Sequence, residues 1–267
     1  MVGSGVRRAY ASVPKNGWKE FPMMVVALVI ALFADPNPVA VAEEAYKKQD
    51  YASAAKIVGA WVKVNPDSKE GLSLLGAAEF MRGDMKAALE AWDHQVKVHK
   101  ASYAPHWQRG IALYYAGRYK EGREQFEAYQ VVDGNDVENS VWKLMCEARE
   151  EGRGLARGRK AMLPIGLDRR APMMEVLDLF AGKSTIEKVK AQTAQAPKNQ
   201  GDKPKFYEAL YLGLYEDLLG HADASQTHFS RAMELEPASV YMREVGRVHR
   251  DLAKAGKLPW KGAAALP

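Results

Sequence analysis

Small and large apolar positions repeat along this chain with a fixed step. Ala42, Gly76 and Gly110 stand 34 residues apart, and so do Ala54, Ala88 and Gly122. Four residues after each of the latter comes a large apolar side chain, at Val58, Trp92 and Phe126. Turn-forming pairs fall between the two small positions: Gln49-Asp50, Gly83-Asp84 and Gly117-Arg118. A fourth copy is written by Gly213, Gly220, Ser225 and Phe229, and Pro66 and Pro237 close the first and last copies in matching places. This pattern predicts units of two antiparallel helices joined by a tight turn, and so an all-α chain. The turn glycine takes backbone geometry that a side chain resists. Gly76, Gly110 and Gly213 lie mid-helix, where glycine costs about 1 kcal/mol against alanine, so close packing is expected there. The expected arrangement sets the small residue of the first helix against the small residue of the second. The large apolar residue then packs under the next unit.

Between the third and fourth copies the pattern blurs, but helices are still legible. Val137 to Glu150 places Val141, Leu144 and Ala148 on one face, with Asn135-Asp136 as its N-cap. Leu155 to Leu163 is a second helix, ended by Pro164-Ile165-Gly166. Pro172 opens a third from Met173 to Ala181, and Ser184 caps a fourth reaching Gln195. Residues 196–204 read as a flexible loop, and Ala238 to Ala255 as a helix that caps the array with Arg243, Arg247, Arg250 and Lys254 on its polar outer face.

The segments LLGAAEFMRGDMKAALEAW, RGIALYYAGRYKEGREQF and LGLYEDLLGHADASQTHFSRAMELEP resemble the tetratricopeptide repeat (TPR) family in both period and residue order. The resemblance is clear over 40–134 and 206–240. It implies a TPR-like helix-turn-helix solenoid, an α–α superhelix of five to six units that binds other proteins. The division expected is a targeting segment over 1–42, repeats one to three over 43–134, degenerate helical repeats over 135–200, a further TPR over 205–237 and a capping helix over 238–255. RGIALYYAGR and NDVENSVW also look like the bacterial outer-membrane TPR lipoprotein that serves as an adaptor. The lipid-attachment cysteine of that protein has no counterpart here.

The first 42 residues change the picture of location. Arg7, Arg8, Lys15 and Lys19 precede an uncharged run from Met23 to Ala34, followed by Ala40-Val41-Ala42. Twelve apolar residues are too few for a bilayer span of about 20 but suit the apolar part of a signal peptide. Export to a thylakoid lumen or a bacterial periplasm is expected, with retention as a membrane anchor through residues 21–34 as the alternative. The chain has 267 residues, 47% of them hydrophobic, enough for a sizeable core. Lys and Arg number 38 against 33 acids, a mild excess partly carried by the leader. The single cysteine, Cys146, excludes a disulfide framework and a multi-thiolate zinc site.

Candidate chemistry is thin. Gly182-Lys183-Ser184-Thr185 looks like the end of a phosphate loop, but Leu177 stands where its first glycine belongs and a helix, not a strand, precedes it. The histidines at 94, 99, 106, 221, 228 and 249 form no HExxH pattern. The basic residues Arg149, Arg153, Arg157, Arg159, Lys160, Arg169 and Arg170 are interleaved with Glu147, Glu150 and Glu151, which reads as a solvated face and not a nucleic-acid platform. No catalytic residue, metal or cofactor is expected.

In a TPR array the first helix of each unit lines a concave groove. Helical spacing selects Phe80 and Met81, then Trp107, Ile111, Tyr114 and Tyr115, then Tyr207 and Leu214. This set is apolar and aromatic, without the Lys and Asn that chaperone-binding TPRs use to clamp a terminal carboxylate. It suits an amphipathic helix or an extended apolar peptide anchored on Trp and Tyr. The function expected is an exported protein–protein interaction scaffold, adaptor or assembly factor. The alternatives are a structural subunit of a membrane complex and an enzyme with a site in 137–200.

Overall fold

The computed structural model of the chain describes residues 37–260. The apolar run from Met23 to Ala34 lies outside the described residues. Thirteen α-helices and no strand are found among the described residues. The first hairpin is α1 (Pro38–Lys47) with α2 (Tyr51–Val64), the second α3 (Lys69–Met81) with α4 (Met85–Val98), and the third α5 (Trp107–Tyr115) with α6 (Tyr119–Tyr129). Then follow α7 (Val137–Arg149) with α8 (Gly154–Lys160), α9 (Met173–Phe180) with α10 (Ile186–Ala194), and α11 (Lys203–Leu218) with α12 (Ala222–Glu234). The last helix is α13 (Val240–Lys254). Successive helices pack on one another from α1 to α8 and again from α9 to α13, the signature of a helical solenoid.

Each hairpin turn is built as its residues dictate. Gly83, Gly117 and Gly220 have φ of +80°, +73° and +83°, the left-handed geometry that only glycine adopts freely. The first hairpin places Gln49 there instead, at φ 62°. The aspartate after the turn then caps the second helix. Asp50 accepts from Ser53 N at 3.1 Å, and Asp84 from Ala87 N at 2.9 Å.

The mid-helix glycines do make room, but for a different neighbour than the repeat pattern suggests. A Cβ on Gly76 would come within 2.5 Å of the Trp92 indole, one on Gly110 within 2.7 Å of the Phe126 ring, and one on Gly213 within 3.1 Å of the Phe229 ring. The large apolar residue of the second helix therefore packs back onto its own first helix. The small residue of the second helix clears space for the next unit: a Cβ on Gly122 would stand 2.8 Å from Cys146 Sγ on α7.

The degenerate region holds the expected four helices with altered ends. Asp136 caps α7 through Glu138 N at 3.1 Å. Helix α8 stops at Lys160, and 161–172 runs without helix. The cap of α10 is Thr185, which accepts from Lys188 N, whereas the Ser184 hydroxyl donates to the Glu175 carboxylate. Residues 196–204 hold a short 3-10 turn and the start of α11.

The placement of α13 departs most from expectation. It does not close the end of the array with a polar outer face. It lies along the inner side of the solenoid, against the first helices of several units. Arg247 reaches the Met81 carbonyl on α3 at 2.6 Å and lies 5.8 Å from the ring centroid of Tyr51.

Candidate functional site

The concave side is shaped by α3, α5 and α11, and it is filled by α13. Tyr241, Met242, Val245, Val248, His249 and Leu252 recur at three- and four-residue steps, so one face of α13 is apolar and faces inward. The Tyr241 ring stacks on Phe80 at 5.9 Å between centroids and meets Trp107 edge-on at 4.9 Å. Two turns along, Tyr115 Oη and His249 Nδ1 are 3.1 Å apart. Gly246 lets the helix come close: a Cβ there would stand 3.1 Å from Leu210 on α11 and from Met233 on α12. The chain continues past Gly256, and Trp260 packs on Tyr114 at 4.7 Å and Tyr115 at 6.0 Å.

Asp217 locks this end in place. Arg149 Nη2 donates to its Oδ2 at 2.9 Å, Trp260 Nε1 donates to its Oδ1 at 3.3 Å, and His249 Nε2 lies 3.6 Å from the same oxygen. The Arg149 guanidinium also sits 4.1 Å from the Trp260 ring centroid, a cation–π geometry. Burial works against the charge of Asp217, but His249, Arg149 and Trp260 outweigh it and hold the carboxyl below its usual range. Burial pushes the Tyr114 and Tyr115 phenols well above theirs.

The residues selected from sequence are thus brought to the groove, but not as an open surface. All but Trp107 are buried. Phe80, Met81, Trp107, Tyr114 and Tyr115 touch α13 or the Trp260 tail directly. Ile111 and Tyr207 line a small cavity with Met242, and Leu214 lies in the common core. Part of the groove stays uncovered: a cleft of about 550 Å³ whose walls include Ser73, Ala77, Gln108 and Tyr241.

The remaining candidate groups are absorbed by the fold. Cys146 is fully buried, and burial pushes its thiol up. Arg153 and Arg157 pair with the buried Glu147, and Arg159 donates to the Phe180 carbonyl at 3.1 Å. His94 pairs with Asp67 at 2.8 Å and His221 with Glu216 at 2.6 Å. Two features were missed in the sequence. One is that α13 fills the groove, although the apolar steps from Tyr241 to Leu252 carry the signal. The other is Arg170, which binds Asp136, Glu138 and Asp168 together. Nothing local in LPIGLDRRAPMMEV announces that role.

No family model matches the chain. Among solved structures, a tetratricopeptide repeat protein from Parabacteroides merdae ATCC 43184, determined at 2.39 Å, aligns with a TM-score of 0.50 at 10% sequence identity. The alignment covers 85% of this chain and 90% of that one. The likeness is one of fold, and with the stacked hairpins it marks the chain as a TPR-like helical solenoid.

Proposed function

We propose that the chain is a protein-interaction scaffold whose concave groove accepts an amphipathic helix. One observation carries this reading: the groove already holds such a helix, the chain's own α13, along 15 residues and with aromatic anchors from α3 and α5. A groove that seats Tyr241 between Phe80 and Trp107 offers the pockets that a helix with an aromatic at the same register needs. In this reading α13 is a resident occupant, and a partner helix competes for its place. The uncovered cleft beside Ser73 and Gln108 gives that partner a first contact.

The test uses a labelled peptide of residues 238–260 and the full chain carrying Tyr241→Ser and Leu252→Ser, which weaken the seat of α13. The variant is expected to bind the peptide, and the wild type to bind it far less. A variant that keeps its helical circular dichroism, shows α13 released in hydrogen exchange and still ignores the peptide overturns the reading.

The same proposal takes residues 1–42 as the export segment. Ala42 is fully buried within α1, and Val39 is buried one turn earlier. A mature chain starting at Glu43 loses both. N-terminal sequencing of the cellular protein decides between that start, an earlier start that keeps α1, and an uncleaved anchor, of which the last contradicts export as a soluble scaffold.

A further inference from the structure

One cavity stands apart from the seat of α13 in its chemistry. It has a volume of about 180 Å³ and lies between α5, α6, α7, the 161–172 segment, α11 and the start of α13, which contributes Met242. One side of it is acidic. Arg170 donates to Asp136 Oδ1 at 2.6 Å, to Glu138 Oε2 at 2.6 Å and to Asp168 Oδ1 at 2.9 Å. A single guanidinium therefore serves three carboxylates; of these, Asp136 and Glu138 line the cavity together with Arg170, so one negative charge is left over on its wall. The second oxygen of Glu138 accepts the Tyr211 hydroxyl, which is a neutral donor. Burial pushes the Asp136 and Glu138 carboxyls above their usual range, with Arg170 only partly offsetting it.

The other walls match this excess. Trp107 and Trp142 line the cavity with aromatic rings, whose electron-rich faces attract cations, while the third ring, Tyr207, already carries the Arg170 guanidinium 5.3 Å from its centroid. Asn139 is 2% exposed and lines the same space. Its Nδ2 donates to Gln130 at 3.2 Å, but its Oδ1 has no partner. A buried acceptor without a donor is costly to keep, and a ligand with N–H groups would recover that cost. Trp142 Nε1, also buried, lacks an acceptor.

We propose that this cavity binds an organic cation, a guanidinium or ammonium group carried on a short apolar stem. Three features converge on that class: unbalanced carboxylates, aromatic walls and an unpaired acceptor. The space is below the ~300 Å³ at which drug-sized pockets begin, so the occupant is no larger than one side chain. The cation can come from an Arg or Lys of a bound polypeptide or from a free small amine. The helix-binding reading does not use the acidic wall of Asp136 and Glu138, although the 239–242 segment contributes Ser239 and Met242 to the lining.

Calorimetry on the full chain tests this with four probes: Nα-acetyl-arginine amide, Nα-acetyl-lysine amide, n-propylamine, and the uncharged isostere Nα-acetyl-citrulline amide. At least one cation is expected to bind, and the citrulline probe to bind about tenfold more weakly or not at all. Tighter binding of the amino-acid amides assigns the site to a polypeptide side chain, and tighter binding of n-propylamine to a free amine. Trp107→Leu removes an aromatic wall that also meets Tyr241 of α13, and it is expected to weaken binding about fivefold while keeping the helical circular dichroism. Glu138→Gln is expected to weaken it about tenfold. Equal binding of arginine and citrulline probes, no heat with any cation at 10 mM-scale concentrations (about that upper limit), or binding indifferent to both variants overturns the proposal.

Discussion

The indole of Trp92 fills the space that a Cβ on Gly76 would need, coming within 2.5 Å of where that carbon would stand. Its Nε1 donates to the Ser73 carbonyl of the same helix at 3.2 Å. The ring is therefore fixed by both a close contact and a hydrogen bond, and the two helices of the second hairpin are held at one separation. Gly110 with Phe126 and Gly213 with Phe229 repeat the close contact, without the hydrogen bond.

Gly76→Ala is expected to destabilise the chain by about 1–3 kcal/mol, because the buried indole cannot move without opening the core. Gly59 is the control. It is also mid-helix, but a Cβ there would meet only Leu75 Cδ1 at 3.7 Å, an ordinary contact. Gly59→Ala should stabilise by about 0.5–1 kcal/mol through helix propensity. Urea titration of both variants checks the pair. Equal effects would mean that Gly76 is not where the packing is decided.

The first hairpin turns on Gln49 at φ 62°, where its counterparts use Gly83 and Gly117. A left-handed backbone costs a residue with a side chain about 1 kcal/mol. Gln49→Gly is expected to recover up to about that amount, less the extra freedom of glycine in the unfolded chain. A rise in thermal midpoint with unchanged far-UV circular dichroism is the expected readout.

Much of this was legible in the sequence, because stacking hairpins impose a period that the residues must obey. The turn glycines, the Asp caps and the helices of 137–194 follow from local rules. The pairing of Gly76 with Trp92 was not legible, since a 34-residue step fixes which residues are equivalent but not which of them touch. Helix α13 was visible as a helix. Its destination was not, because an apolar face such as Tyr241 to Leu252 says only that it must be covered. Arg170 was unreadable for a related reason: its partners Asp136 and Glu138 lie more than 30 residues away, and nothing local links them.

His106 is buried with both ring nitrogens engaged. Its Nε2 lies 3.0 Å from Gln95 Oε1, and its Nδ1 accepts from Arg109 N at 3.3 Å. Protonating Nδ1 would break the second bond and place a charge beside Arg109. Burial first, and Arg109 second, push its pKa down to about 4. The folded value lies below the unfolded one near 6.5, so the stability tied to neutral His106 is present above that pH. It is lost as pH falls from about 6.5 toward 4, by up to about 3 kcal/mol. His106→Gln should flatten that part of the curve of urea midpoint against pH. A wild-type curve level across this window would show that the ring is not held neutral.

Arg170→Met leaves Asp136, Glu138 and Asp168 without their shared cation. At pH 7 this is expected to cost at least about 2 kcal/mol, tempered by the partial exposure of the guanidinium. The variant should regain stability as pH falls, because Asp136 and Glu138 already take up protons more readily than free carboxyls. Their raised folded values mean that their ionisation opposes folding as pH rises through those values. Chemical denaturation of the variant at neutral and mildly acid pH measures the recovery. A variant equally weak at both would assign the loss to packing instead of charge.

The seat of α13 sets how strongly the groove resists an outside helix. If the groove opens only in a small fraction of molecules, the apparent affinity for a competing helix is reduced by that fraction. Tyr241→Ser removes the ring that stacks on Phe80 and meets Trp107. Losing a partly buried, well-packed aromatic there costs the seat about 2–3 kcal/mol, so the open fraction grows by about 30- to 150-fold. Affinity for the labelled 238–260 peptide should rise by up to that factor. Adding Trp260→Ser, which cuts the contacts to Tyr114 and Asp217, should raise it further only until the groove is fully open. The approach to a plateau distinguishes competition from a new contact made by serine, which would have no ceiling set by the resident helix. Anisotropy titrations across wild type, single and double variants trace that ceiling, and an affinity that does not respond to Tyr241→Ser would show that α13 is a permanent part of the core.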